Sequence, residues 1–148
     1  MRWPKFFLVA GFIAFLWGRG SLPQLAAAQP ADEVLLTITY IQPEAGEVML
    51  VWGVDGWQTV PEAERPSQTT IHNGVMWTPM TLASGHFVAE LALPVGTTVD
   101  YGFLVTQRLD GTAVSIWEAD GSRDFQVVTT TDQQLTHPSA ISPYDASQ

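Results

Sequence analysis

Val48-Met49-Leu50-Val51-Trp52-Gly53-Val54-Asp55-Gly56-Trp57 is the stretch on which the reading of the fold turns. Its first five residues form an unbroken apolar run rich in β-favouring side chains, closed by a glycine and an Asp-Gly turn. That pattern predicts a strand buried on both faces. Trp52 keeps the parity of Val48 and Leu50 and so belongs to the core. Trp57 follows the turn directly, which puts a large ring on a loop at the strand's end, where loops meet solvent.

Upstream, Val34 to Ile41 alternates, with Val34, Leu36, Ile38 and Tyr40 on one face and Thr37 and Thr39 on the other, as a half-buried strand does. Downstream, a polar link from Gln58 to Asn73 contains Pro61 and Pro66, and Glu62 to Arg65 has the composition of one helical turn. Val75 to Leu82 is strand-like, but Pro79 cannot donate to a ladder, which predicts an edge or a bend there. Ala83-Ser84-Gly85-His86 reads as a hairpin into a strand whose Phe87, Ala89, Leu91 and Leu93 share a face. Thr98 to Thr106 points Val99, Tyr101, Phe103 and Val105 one way and Asp100 the other. Asp110-Gly111 and Asp120-Gly121 are turn signals into Ala113–Trp117 and Asp124–Thr130. No sustained helical period follows residue 28. About seven short strands without crossover helices predict an all-β fold, an antiparallel β-sandwich of immunoglobulin-like size, with a small barrel as the competing closure.

The ends divide off by composition. Arg2 and Lys5 precede an apolar run from Phe6 to Trp17, and Ala26-Ala27-Ala28 then supplies small residues at a cleavage point, the tripartite pattern of a secretory signal peptide. The run is only about 12 residues, short of a membrane span, so residues 1–28 are expected to be a cleaved leader, with an uncleaved anchor as the alternative. Residues 29–131 form the expected sandwich domain. Residues 132–148, rich in Gln, Ser, Pro and Asp, read as a frayed tail. The expected location is therefore secreted, periplasmic or the cell envelope. With no cysteine in the chain, such a domain is held by packing and strand pairing without disulfides, and thiol chemistry and Cys-based zinc sites are excluded.

All 15 acidic residues lie beyond residue 28 and three of the six basic ones lie before it. The remainder has Arg65, Arg108 and Arg123 as its cations and a net charge of −12. Such a surface repels phosphate backbones and anionic lipid, which argues against nucleic-acid and membrane-surface roles. It also keeps an exported protein soluble.

Trp57 and Trp117 each end an apolar strand against a turn rich in Asp and Gly. Either they plug the open ends of a sandwich, or they stand bare and stack on the apolar face of a sugar while neighbouring polar groups take the hydroxyls. Covering one ring face contributes on the order of 1–3 kcal/mol before ordering costs. Trp77 joins the candidates from its neighbourhood in the chain. Glu118, Asp120 and Asp124 are acidic turn residues, which in principle supply an acid and a base for glycoside hydrolysis or oxygen ligands for calcium; the ordinary reading is a solvated connection. His72, His86 and His137 lack ligand spacing and read as surface residues. No cofactor is expected.

The order of these motifs resembles a known family. Val48 to Trp52, Gly56-Trp57, Met76 to Met80, Gly85-His86-Phe87-Val88, the strand ending near Phe103, Trp117-Glu118-Ala119-Asp120-Gly121 and Asp124-Phe125 together look like the starch-binding carbohydrate-binding modules of family 25 or a related starch-binding β-sandwich. The resemblance spans Val48 to about Val128. It implies a non-catalytic β-sandwich that binds an α-glucan-like polysaccharide, with Trp57 and Trp117 as stacking platforms and Asp120 in the hydroxyl-binding loop. Glu118, Ala119 and Asp120 depart from the neutral asparagine that the family carries after the second tryptophan. Such modules usually accompany a catalytic domain, so a binding function here acts either alone or through a partner protein or enzyme of the envelope. The alternative is an envelope structural or protein-interaction sandwich with no glycan ligand.

Overall fold

A computed structural model describes residues 32–140; the expected leader and residues 141–148 lie outside them. The strands are β1 (Glu33–Ile41), β2 (Glu47–Val54), β3 (Thr70–His72), β4 (Val75–Pro79), β5 (Thr81–Ala83), β6 (His86–Pro94), β7 (Thr98–Leu109), β8 (Thr112–Glu118), β9 (Phe125–Val128) and β10 (Gln133–Pro138). They form two sheets. One has the order β10-β1-β6-β5; the other has the order β3-β4-β2-β7-β8, with β9 also on β7. Every pairing is antiparallel except β1 with β10. The all-β sandwich is the expected fold.

Alternation builds the core. Leu36, Ile38 and Tyr40 of β1, with Ala89, Leu91 and Leu93 of β6, face Val48, Leu50 and Trp52 of β2 and Val99, Tyr101, Phe103 and Val105 of β7, all buried. The Trp52 indole, fully buried, donates from Nε1 to Thr78 Oγ1 at 2.9 Å, which satisfies the one polar atom that an inward indole brings with it. Pro79 ends β4 where the chain crosses between sheets, and Met80 N–H still bonds to Val48 O at 2.9 Å. Ser84 and Gly85, at φ 51° and 81°, form the two-residue hairpin turn. A single 3-10 turn covers Glu62–Glu64.

The tail reading is corrected over its first part. Gln133–Pro138 pairs with Leu36–Ile41 as a parallel edge strand, and of its half-buried row of Gln133, Leu135 and His137, Leu135 packs against the core. A parallel pairing between strands nearly a hundred residues apart leaves no turn in the sequence to announce it.

His137 likewise is not a surface residue. Its ring lies 4.4 Å from Phe125, 5.4 Å from Phe103 and 5.6 Å from Tyr101 between centroids, and its Nε2 shares a 2.9 Å hydrogen bond with the Tyr101 hydroxyl. Burial pushes its pKa below the ordinary 6.5, against an opposing pull from the Glu118 carboxylate.

Candidate functional site

The long strand β7 changes partner part-way. Its Thr98–Tyr101 segment pairs with β9 and its Phe103–Leu109 segment pairs with β8, both on the same side. β8 and β9 are thus collinear, with residues 119–124 looped out between them and Gly102 at the notch. On its other side Gly102 pairs with Val51 of β2, which pairs in turn with Trp77 of β4. Since alternate residues share a face, Trp77, Val51, Gly102 and Trp117 all belong to the outer face of this sheet, away from the core.

Trp117, opposite Leu104 in the register, leans back over Gly102: a Cβ added at Gly102 would overlap Cζ2 and Cη2 of the indole. Glycine in a strand interior often marks such a close approach. Trp117 is 46% exposed. Val51 is only 5% exposed although it faces outward, flanked in register by Trp77 on one strand and by the Gly102 notch with its indole on the other. The double burial expected for β2 therefore has two sources, the sandwich core inside and tryptophan outside. Trp77 is partly exposed and meets His72 edge-on at 5.3 Å.

Trp57 arrives on the same face by a different route. Asp55, Gly56 and Trp57 all adopt positive φ, at 47°, 88° and 66°, inside a loop closed by reciprocal Val54–Gln58 backbone bonds of 2.9 and 2.8 Å. Asp55 anchors it: its N–H donates to Thr98 O at 2.8 Å, and its Oδ1 accepts from Thr98 N–H at 3.1 Å. The left-handed region costs an L-residue with a Cβ roughly 1–2 kcal/mol, so a tryptophan held there by its neighbours is an observed strain that points toward a role. The turn folds the Trp57 backbone onto Gly53, where an added Cβ would lie 2.5 Å from Trp57 Cα. The indole then reaches toward β9, donating from Nε1 to Asp124 Oδ2 at 3.2 Å.

Gly53 is opposite Asp100 and Val51 is opposite Gly102. Trp57 thus crosses β7 at the level of Asp100, and Trp117 covers Gly102 two residues along, about 7 Å away by strand rise. The expected end-on placement is replaced by a face-on one: the rings stand on the flat of the sheet, gathered around the notch.

Beside them is a polar hollow of about 410 Å³ lined by Asp100, Asp120, Arg123, Asp124 and Gln126. Asp100, 8% exposed, accepts a 2.7 Å bond from Gln126 Nε2. Asp120 is positioned by the loop itself, its carbonyl accepting from Arg123 N–H at 3.1 Å. Carboxylates, a guanidinium and an amide in one hollow offer both acceptors and donors for hydroxyl groups.

Glu118 does not join them. It continues the inward parity of β8 and is 7% exposed, accepting from the Tyr40 hydroxyl, from Ser139 Oγ at 3.3 Å and from Ala140 N–H at 2.6 Å. Burial first, and the hydrogen bond to Glu118 second, hold the Tyr40 phenol far above its usual range. The three acidic residues of the sequence are thereby split, one inside the sandwich and two on the surface. Among the described residues no group of three His, Cys, Asp or Glu side chains is placed to hold a metal ion.

Of the residues singled out in the sequence, Trp57, Trp117, Trp77 and Asp120 come to one face of one sheet. Sequence reasoning missed Gly53, Gly102, Asp100 and Gln126. For the glycines a signal was present, since each interrupts an apolar stretch of its strand; Asp100 and Gln126 are brought together by the β7–β9 register and have none.

No family model matches the chain and no curated protein matches it. Among solved structures it is similar to a glycoside hydrolase family 15 glucoamylase from Hypocrea jecorina, at 12% identity and a TM-score of 0.41, over 72% of this chain and 16% of that one. A likeness of that degree carries no functional weight. The side chains gathered around the notch are the ground for a functional reading.

Proposed function

We propose that the outer face of the six-stranded sheet binds a neutral polysaccharide of the α-glucan type without cleaving it. The observation that carries this reading is the placement of two partly bare indoles, Trp57 and Trp117, from separate parts of the chain, on one sheet face beside a polar hollow, with Trp77 on the same face across Val51. Flat apolar rings stack on pyranose faces, and the hollow's carboxylates and guanidinium take the hydroxyls at the rim. At on the order of 1–3 kcal/mol per ring, two or three contacts give roughly millimolar to micromolar affinity. Three carboxylates in the hollow disfavour uronate or sulfated chains. Binding is favoured over hydrolysis because Glu118 is turned into the sandwich, and Asp120 and Asp124 stand on an open surface that excludes no water.

Titration of the protein with maltoheptaose and soluble amylose, followed by tryptophan emission and calorimetry, tests the proposal. A blue shift that saturates, and that is abolished in Trp57→Ala and Trp117→Ala, is the expected result. Emission unchanged by every neutral oligosaccharide, with both rings open to acrylamide quenching, overturns it and leaves the protein-interaction reading.

A further inference from the structure

The sheet carrying β1 is left open on its other side. We propose that the edge of β6 at Glu90 and Ala92, beneath the connection from Val60 to Thr69, accepts an extended lysine- or arginine-bearing segment of a partner protein as an added strand.

The hairpin fixes which backbone groups are available. A two-residue turn at Ser84-Gly85 makes Ala83 and His86 the closing hydrogen-bonded pair, and donors alternate in direction from there. Phe87, Ala89, Leu91 and Leu93 therefore address β1, while Val88, Glu90 and Ala92 address the β5 side. Thr81, the first residue of β5, pairs with Val88, and among the described residues no strand reaches Glu90 or Ala92 on that side.

The connection above that edge is secured without it. Val60 is buried in the core, Arg65 Nε donates to Val60 O at 2.8 Å, and the Thr69 hydroxyl bonds Pro66 O at 2.7 Å and lies 2.8 Å from the Thr78 hydroxyl. Among the described residues no backbone bond joins the connection to β6. Two grooves of about 510 and 240 Å³ run beside the edge, both bordered by Pro66 and Glu90. Native sheets normally blunt such an edge with proline or charge, or cover it. Here Pro94 and the connection do so only in part.

Charge selects the occupant. The smaller groove places Glu33, Glu64 and Glu90 against Arg65, whose Nε is already committed to Val60. A second copy of this chain brings the same carboxylates to the edge and is repelled. An incoming strand with cations at alternate positions aligns them with Glu90 and its neighbours, while its backbone takes the free groups of Glu90 and Ala92.

Titration of the ¹⁵N-labelled protein with the peptide acetyl-Lys-Val-Lys-Val-Lys-amide, and with its glutamate counterpart, tests the proposal. The lysine peptide is expected to shift the Glu90 and Ala92 amides and slow their hydrogen exchange, and the glutamate peptide to leave them unmoved. Ala92→Pro removes an N–H that faces the groove and no ladder bond, and is expected to weaken the peptide at least tenfold; Glu90→Lys, which leaves the backbone intact, is expected to do the same. The proposal is overturned by amides unmoved at millimolar lysine peptide, or by equal shifts from both peptides. It is equally overturned by shifts that track protein concentration alone, or by Glu90 and Ala92 amides already protected in the free protein.

Discussion

Replacing Gly102 by alanine separates the platform from the fold. The added methyl overlaps the Trp117 ring, and the ring, on a residue 46% exposed, has open solvent to swing into. Rather more than half of a tryptophan side chain of 150–250 Å² is packed in the native arrangement, roughly 100 Å². Lifting it off entirely costs at most about 2.5 kcal/mol at 25 cal/mol per Å². Partial tilting costs about 1 kcal/mol, which lowers the melting temperature of a domain this size by about 5 °C and leaves it folded. Under the proposed function, glycan affinity should suffer more directly, because a tilted ring no longer offers its face: a loss of about 1–3 kcal/mol is a roughly 5- to 150-fold weaker Kd. Affinity electrophoresis through an amylose gel, with calorimetry on maltoheptaose, measures this. The decisive comparison is a double-mutant cycle: in a Trp117→Ala background Gly102→Ala should cost no further affinity, because the ring it displaces is gone. An undiminished affinity in Gly102→Ala, or equal losses with and without Trp117, refutes the argument that Gly102 acts by seating that indole.

Other expectations rest on the same geometry. Asp124→Ala removes the acceptor for Trp57 Nε1 and should weaken glycan binding about 2- to 10-fold, while stability, measured by urea denaturation, changes by less than about 1 kcal/mol because both groups are near the surface. Glu118→Ala takes away the buried acceptor of the Tyr40 hydroxyl and the Ala140 N–H; it should cost about 2–4 kcal/mol of stability with ring stacking intact, a split that calorimetric melting and binding below the transition resolve. Stability should fall on both sides of neutrality. His137, depressed below 6.5 in the fold, favours the neutral imidazole, so its contribution is full above pH 6.5 and is lost as pH falls from there toward the folded value. Tyr101, pushed by burial from 10 up to about 12, contributes fully below pH 10 and loses that contribution as pH rises toward about 12. Urea midpoints across pH should show a plateau between these limits, and His137→Gln should flatten its acid shoulder.

The sequence by itself determined what local pattern can carry. The alternation in Val34–Ile41, Phe87–Leu93 and Val99–Val105, with Pro and Gly punctuation, specified strands, faces and an all-β sandwich, because a period of two has one way to bury an apolar row. It marked Trp57, Trp117 and Trp77 as rings needing an explanation, and Trp52 as core. What the chain could not reveal locally is where separate segments meet. The parallel β10 pairing, the His137 ring among Phe103, Phe125 and Tyr101, and the inward turn of Glu118 each depend on register between segments far apart, to which no short-range preference is coupled. The site is of the same kind. Trp117 lies over Gly102 because β8 and β9 share one side of β7 and leave a notch between them, and Trp57 reaches it because three left-handed residues fold its loop onto Gly53. Residue types, then, were fixed by the chain. Their convergence on the flat of one sheet was decided by strand register, in which a shift of a single residue would turn every one of these side chains to the opposite face.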